Sequence, residues 1–298
     1  MKIEMEKTYE QLLDENRQLK AENERLKSDY NKLGNMYDEL SLSYEDALLL
    51  YDRAKESLRI ENELQIARNI QMSMVPREFP ADKGIDLFAL MEPAKEVGGD
   101  LYDFFIMNKK LYFCIGDVSG KGIPASLFMA VTRNLYRHVA KQGMMPDIVA
   151  GQINASLTQF NENNMFVTMI IGILDLVTGR IDFCNCGHNP PIIDGKFFET
   201  RYQNLPLGVM DDYVFHSESV DSLGNRQLLI YTDGLNEAEN AAHMPYGDER
   251  MLGLVQEVCD KRSQEAIETI CQTIAGYRNG ADPNDDLTLM CIRLTKGS

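Results

Sequence analysis

The chain has 298 residues, of which 44% are hydrophobic, and it carries a formal net charge of −16. This size is enough for one large domain with its own core plus an appendage. The acidic balance argues against a nucleic-acid-binding surface, because contacts with a phosphate backbone need clustered Lys and Arg. The sequence has no apolar run of about 18 residues, no signal-peptide core at its start and no disulfide-like cysteine spacing. We therefore expect no membrane span and a cytoplasmic location.

Residues 1–63 are nearly free of Gly and Pro and contain a heptad repeat. The d positions are Met5, Leu12, Leu19, Leu26, Leu33, Leu40, Ala47 and Ala54, and the a positions are Tyr9, Asn16, Asn23, Tyr30, Tyr37, Tyr44, Tyr51 and Leu58. Asparagine at a favours a parallel two-stranded register, because the two amides satisfy each other across the seam. We predict a coiled coil that forms a parallel homodimer through residues 1–63. A single amphipathic helix packed on its own chain is the alternative, but so narrow and long a stripe suits a partner helix better.

Beyond Leu58 the strict spacing gives way to a broader apolar face that continues as far as Met74, before Pro76 and Pro80 end the helix. One helix is thus expected to lead from the coiled coil into a second domain, residues 64–298. We hypothesise that the register of the coil biases this domain between a metal-competent and a metal-deficient state.

The second domain alternates short apolar runs with helical patterns. Strands are predicted at 85–91, 101–106, 111–117, 166–175, 180–186, 191–194 and 228–232, with a further β-like run at 287–292. Helices are predicted at 123–141, 146–161, 248–260 and 263–278. Turns such as Thr178-Gly179 and Asp194-Gly195 join antiparallel neighbours. The pattern predicts an α+β fold, with two mainly antiparallel sheets covered by helices on their outer faces.

Aspartates stand beside glycine or another acid at the ends of several apolar runs. The motifs are Gly98-Gly99-Asp100, Gly116-Asp117-Val118-Ser119-Gly120, Thr232-Asp233-Gly234 and Asp285-Asp286. Each alone is an ordinary turn, but together they predict a carboxylate site at one edge of the sheets. Oxygen ligands without a His or Cys cluster favour Mg²⁺ or Mn²⁺ over zinc. Two such ions about 3.5–4 Å apart would activate a water for in-line attack on phosphorus.

Several other segments partly match known functional motifs, but each lacks residues that the motif needs. The segment Gly120–Ala125 has the spelling of a dinucleotide loop, but no acidic residue closes a second strand about 20 residues later. The same segment lacks the spacing and the Ser or Thr of a P-loop. No cysteine is followed by the arginine that a cysteine-dependent phosphatase needs, and Cys184 and Cys186 lack a second pair for zinc. We interpret these cysteines as small residues of a buried strand, and His188 as a hydrogen-bonded turn residue.

An ordered series of motifs spans residues 64–295: Ala67–Gln71, Val75-Pro76, Glu96–Asp103, Gly116–Ala125, Phe166–Met169, Gly187–Pro191, Leu205–Gly208, Tyr231–Leu235 and Asp285–Thr288. This series resembles the metal-dependent (PPM, protein phosphatase 2C-like) serine/threonine phosphatases, in the bacterial branch typified by the stage II sporulation protein E and the sigma-factor regulatory phosphatases. The resemblance implies an α-β-β-α sandwich with the metal site at one edge between the sheets.

The resemblance also implies roles for the acidic residues. Asp117 would bridge two ions with help from the Val118 carbonyl, Asp100 would serve the second ion, and Asp233 and Asp285 the first. Asp286 is the alternative to Asp285, which we favour. Where eukaryotic relatives carry a histidine proposed as general acid, this chain has Ser119. Protonation of the leaving group is therefore unassigned.

The substrate implied by the resemblance is phosphoserine or phosphothreonine on a STAS-domain anti-anti-sigma factor, and the implied cofactors are two Mn²⁺ or Mg²⁺ ions. Two alternatives stay open at this stage. One is a dimeric coiled-coil scaffold with an inactive phosphatase-like domain, and the other is a hydrolase of small phosphoesters.

Overall fold

The structure is a computed structural model that describes residues 2–80, 84–159 and 161–295. The chain divides into two compact units, Met1–Glu63 and Leu64–Ser298. The dimerising and catalytic roles predicted for residues 1–63 and 64–298 remain predictions. Positions 1, 81–83 and 296–298 of these ranges, and position 160 of the predicted helix 146–161, lie outside the described residues.

The helices are α1 (Lys2–Met74), α2 (Ile123–Ala140), α3 (Pro146–Thr158), α4 (Asp248–Val258) and α5 (Ser263–Arg278). The strands are β1 (Ile85–Glu92), β2 (Leu101–Met107), β3 (Lys110–Val118), β4 (Val167–Asp175), β5 (Ile181–Cys186), β6 (Ile192–Ile193), β7 (Lys196–Phe197), β8 (Glu218–Val220), β9 (Gln227–Tyr231) and β10 (Leu287–Leu294). None of the described helices is both long enough and apolar enough to cross a membrane.

In the first unit, α1 presents its heptad leucines to solvent. The exposed fractions are 58% for Leu12, 65% for Leu19, 61% for Leu26, 66% for Leu33 and 68% for Leu40. A continuous apolar stripe of this kind is the usual seam of a coiled coil. The parallel homodimer stays a prediction.

The second unit contains two five-stranded sheets, in the orders β1-β10-β9-β6-β7 and β2-β3-β4-β5-β8. All the strand pairs in these sheets are antiparallel. β10, near the end of the chain, lies between β1 and β9. The prediction of two mainly antiparallel sheets is confirmed.

Alternating side chains of the first sheet face two different cores. Leu87, Ile230 and Ile292 share one hydrophobic cluster with Phe113 of the second sheet. Their neighbours along the strands, such as Leu229, instead join a second cluster with residues of α4 and α5. Helices α2 and α3 pack on the second sheet. The predicted α-β-β-α sandwich is therefore confirmed.

Most predicted elements are present, and the strands that were not predicted are short. Strands β7 and β8 were not predicted, because two or three residues are too few to show an alternating pattern. The Asp194-Gly195 turn is confirmed: both residues have positive φ, 53° and 72°, as a two-residue hairpin loop of type I′ requires. β1 pairs with β10 rather than with the next strand along the chain.

Candidate metal centre

In each sheet, two neighbouring antiparallel strands bring predicted site residues together. In the second sheet Leu101 pairs with Gly116, so Asp100 and Asp117 lie at the same end of β2 and β3. In the first sheet Tyr231 pairs with Leu289. This pairing places Asp233, just after β9, beside Asp285 and Asp286, just before β10.

A threonine connects the two groups of carboxylates. The Thr232 hydroxyl donates to Asp100 Oδ2 at 2.8 Å, and its oxygen accepts a hydrogen bond from the Thr288 backbone N–H at 2.9 Å. Because Thr232 follows β9 and Asp100 precedes β2, this contact joins the edges of the two sheets. The five aspartates therefore lie at the same edge, close enough for the charges of some to act on others.

Asp286 holds the loop that carries Asp100. Its Oδ1 accepts from the Ala94 N–H and its Oδ2 from the Gly99 N–H, both at 2.8 Å. A Cβ on Gly98 would lie 2.1 Å from Asp286 Oδ2, and a Cβ on Gly234 would lie 1.9 Å from the Asp286 carbonyl oxygen. Because Gly98 and Gly234 carry no side chain, the segments that contain them can approach Asp286 this closely.

The last turns of α1 reach the same loop within the second unit. The Gln71 amide donates from Nε2 to the Gly98 carbonyl at 2.7 Å, and its Oε1 accepts from the Gly98 N–H at 3.1 Å. Arg68 Nη1 also donates to the Lys95 carbonyl at 2.8 Å. The loop before Asp100 is therefore fixed on one side by Gln71 and on the other by Asp286.

Burial and neighbouring negative charge raise the pKa of Asp100, Asp117 and Asp233. Burial, followed by the charges of Asp233, Asp285 and Asp286, raises the pKa of Asp117 to about 7. Burial and the charge of Asp117 hold the pKa of Asp100 well above its usual range. Burial and Asp285 likewise raise the pKa of Asp233. A cluster of partly buried oxygen donors with this much unbalanced negative charge is a donor set that suits a hard divalent cation.

One basic side chain counters this charge. Lys121 donates from Nζ to Asp285 Oδ2 at 2.7 Å and to the Asn284 carbonyl at 2.9 Å. The other oxygen of Asp285 accepts from the Asp286 N–H at 2.9 Å. Within residues 2–80, 84–159 and 161–295, no three His, Cys, Asp or Glu side chains are placed so that together they could hold a metal ion.

Val118 and Ser119 continue the strand from Asp117. Val118 is buried and pairs with Val167, and its carbonyl oxygen would lie 2.9 Å from a Cβ on Gly99. The Ser119 hydroxyl accepts from the Phe166 N–H at 2.9 Å. Ser119 thus supports the strand end and offers no titratable group for protonating a leaving group.

His188 is a buried hydrogen-bonded residue, as predicted. Its Nε2 lies 3.0 Å from the Tyr231 carbonyl and its Nδ1 lies 2.8 Å from Thr168 Oγ1. A carbonyl only accepts, so Nε2 carries the proton and Nδ1 accepts from the threonine hydroxyl. Burial lowers the pKa of His188 to about 4. The ring is therefore neutral and fully bonded.

The cysteines behave as packing residues. Cys184 and Cys186 are both buried on β5. Burial holds the pKa of the Cys186 thiol well above its usual range, which disfavours the thiolate.

Three residues at the site were not assigned from the sequence. Gln71, Thr232 and Lys121 stand inside the motifs Ala67–Gln71, Tyr231–Leu235 and Gly116–Ala125, which gave them no individual role. The sequence signal for Thr232 is its place directly after the apolar run Leu228–Tyr231, whereas the burial of Gln71, which is 4% exposed, is visible only in the structure. Buried polar groups need partners, which here come from distant parts of the chain.

Solved structures with the same architecture are PP2C domains and related proteins. The SiaA-PP2C domain of Pseudomonas aeruginosa superposes with a TM-score of 0.70 at 20% identity, covering 80% of this chain and 98% of that domain. RsbX, solved in complex with magnesium, gives a TM-score of 0.56 at 16% identity, with coverage of 73% and 99%. The fold is that of the PP2C phosphatases.

Proteins that are similar in sequence include phosphoserine phosphatases. Phosphoserine phosphatase RsbU of Bacillus subtilis is 24% identical over 238 residues, which are 78% of this chain and 70% of RsbU. Phosphoserine phosphatase RsbP of the same organism is 26% identical over 195 residues, 63% of this chain and 48% of RsbP. The chain thus spans less than two thirds of RsbP.

Fold and relatives together define a serine/threonine phosphatase of the PP2C class, whose members depend on metal. The family model of the Stage II sporulation protein E (SpoIIE) matches residues 108–295, more than half of the sequence. The chain belongs to this SpoIIE family.

Proposed function

We propose that this phosphatase hydrolyses phosphoserine or phosphothreonine on a STAS-domain anti-anti-sigma protein, using two divalent cations. The observation that carries the proposal is the convergence of Asp100, Asp117, Asp233 and Asp285 at one edge of the two sheets. The names of RsbU and RsbP, both phosphoserine phosphatases, support the substrate class.

The proposed ligands are Asp117, bridging both ions, the Val118 carbonyl, Asp100, Asp233 and Asp285. Bound divalent cations would supply positive charge at the phosphoryl group and lower the pKa of water. The magnesium complex of RsbX supports Mg²⁺, and the same oxygen donors suit Mn²⁺. Both carboxylate oxygens of Asp286 accept backbone N–H groups, whereas Asp285 accepts one backbone N–H at Oδ1 and is held at Oδ2 by the half-exposed side chain of Lys121. We therefore keep Asp285 as the ligand and assign Asp286 to positioning the loop.

The edge of the site is accessible to a phosphoryl group carried by a folded protein. The side chains of Lys121 and Asp285 are 54% and 31% exposed, whereas Asp100 behind them is buried. The partly exposed Asp285 would lie nearest an approaching substrate, while the buried Asp100 is held in place by Thr232. This arrangement favours a protein substrate over an enclosed metabolite.

Regulation is proposed to act through α1. Residues 1–63 would form a parallel homodimer through the exposed heptad stripe. Gln71, later in the same helix, is hydrogen-bonded to Gly98 in the loop that carries Asp100. A change of coil register would move this contact and with it the metal ligand Asp100.

The test measures hydrolysis of an aryl phosphate and of a phosphoserine STAS-domain protein, with Mn²⁺ and with chelator. Wild type is compared with Asp117→Asn and with Asp194→Asn, which makes the same change in an exposed hairpin turn. We expect metal-dependent turnover of both substrates that Asp117→Asn abolishes and Asp194→Asn preserves. A scaffold would show no metal-dependent turnover, and a small-molecule phosphoesterase would leave the phosphoprotein untouched.

A further inference from the structure

Lys121 lies in a turn between two glycines at the mouth of the acidic site. Gly120 and Gly122 have φ of 89° and 73°, a left-handed conformation that other residues rarely adopt. An added Cβ at either glycine would meet no atom within 4 Å. The turn is thus open at both glycines, and from it the Lys121 ammonium group reaches Asp285.

The contacts of Asp285 differ from those of the other acids. Asp286 is held by backbone N–H groups, and Asp100 by the Thr232 hydroxyl. Asp285 also accepts one backbone N–H at Oδ1, from Asp286, but its Oδ2 is held by the ammonium group of Lys121. Among the described residues, this is the one ion pair made by any of the five carboxylates, and the lysine side chain is 54% exposed.

We propose that Lys121 is a displaceable internal counter-cation, which holds Asp285 in the metal-free enzyme and must give up this carboxylate before a divalent cation can use it. The inference rests on the proposed role of Asp285 as a ligand. The ammonium group and the divalent cation compete for one carboxylate, so Lys121 sets the metal concentration at which the site fills. A partly exposed ion pair is weak enough to be broken in this way.

Removing the lysine should then have two effects of opposite sign. Without metal, Lys121→Gln leaves the carboxylates with no cation and lowers the melting temperature. The same variant should bind the divalent cation more tightly than wild type. No ammonium group has to be displaced from Asp285, and the positive charge that repels the incoming cation is gone. If Lys121 had a purely structural role, its replacement would lower both the stability and the metal affinity.

The experiment measures Mn²⁺ binding to the full chain by isothermal titration calorimetry, and melting temperature in chelator. Lys121→Gln is compared with Lys121→Arg, which keeps the charge, and with Lys141→Gln, which removes an exposed lysine at the opposite end of α2. We expect Lys121→Gln to bind Mn²⁺ about two- to fivefold more tightly than wild type. Lys121→Arg and Lys141→Gln should resemble wild type, and in an Asp285→Asn background Lys121→Gln should add no further gain.

Equal or weaker Mn²⁺ binding by Lys121→Gln overturns the inference while leaving the proposed function intact. A raised KM for the phosphoprotein with unchanged Mn²⁺ affinity also overturns it and makes Lys121 a substrate contact. If wild type binds no Mn²⁺, the metal centre fails together with the inference.

Discussion

Gln71 and Gly98 are joined by a reciprocal pair of hydrogen bonds, in which the side-chain amide of Gln71 pairs with both backbone polar groups of Gly98. Gln71 is 4% exposed, and Asp100 follows Gly98 by two residues. An amide that pairs with a backbone in this way acts like one more strand residue. The position of the Asp100 loop therefore depends on the last turns of α1.

We expect Gln71→Ala to weaken metal binding about tenfold and to lower stability by about 1–3 kcal/mol, because Gly98 would keep a buried N–H and C=O without partners. Gln65→Ala, at an exposed position of the same helix, is the matched control. Mn²⁺ titrations of activity and melting curves in chelator measure the two effects. Unchanged metal dependence in Gln71→Ala would show that this contact does not position the site.

Insertions near Ala54 test whether the register of the coil reaches the enzyme. Three or four extra residues rotate the following helix relative to the seam and should change turnover severalfold without preventing folding. Seven extra residues restore the heptad phase and serve as the control. Turnover that is the same for all three insertions would refute the coupling.

Charges in the seam test the dimer. Leu19→Asp with Leu26→Asp places like charges opposite each other at two d positions and should give monomers in sedimentation equilibrium. Ala21→Asp with Ser28→Asp puts the same charges at outer positions of the same turns and should leave the dimer intact. A wild-type chain that sediments as a monomer would contradict the prediction directly.

Gly98→Ala tests the contact with Asp286. The added methyl would lie 2.1 Å from Asp286 Oδ2, so the carboxylate or the loop has to move and metal-dependent activity should fall at least tenfold. Gly253→Ala is the control, because a Cβ there meets no atom within 4 Å and the residue lies in α4. The helical substitution should raise stability by up to about 1 kcal/mol. Near-normal activity of Gly98→Ala would mean that this close approach is not needed.

The low pKa of the buried His188 should make the protein lose stability in acid. Its pKa of about 4 in the fold lies below the value of about 6.5 for an unfolded histidine. Above pH 6.5 the imidazole is neutral in both the folded and the unfolded chain, so the burial of His188 costs no stability. As the pH falls from about 6.5 to 4, the unfolded chain takes up the proton first and is favoured, at a total cost of about 3 kcal/mol.

Urea unfolding in chelator at pH 7 and pH 5 measures this effect. Wild type should lose about 2 kcal/mol more than His188→Gln over this interval, because the carboxylates contribute equally to both proteins. Equal losses would place the acid sensitivity elsewhere.

The sequence predicted the acidic motifs and most of the elements because both depend on neighbouring residues. Asp117 and Asp233 follow apolar runs, and the strands before them are visible as alternating or continuous patterns. The supports of the site were not predictable in this way. Thr232 meets Asp100 across 132 positions of the chain, and Asp286 meets Gly99 across 187. Such contacts follow from sheet order, in particular the pairing of β1 with β10, which no local pattern encodes.

The pairing of β1 with β10 also determines when the first sheet can form during synthesis of the chain. β1 and β9 share β10 as their common neighbour, so the first sheet has a gap in its middle until residues 287–294 have left the ribosome. Asp285 and Asp286 emerge just before that strand. A nascent or prematurely terminated chain that stops short of Asp285 therefore lacks both the centre of the sheet and part of the acidic site, and we expect no partly active fragment to appear during translation.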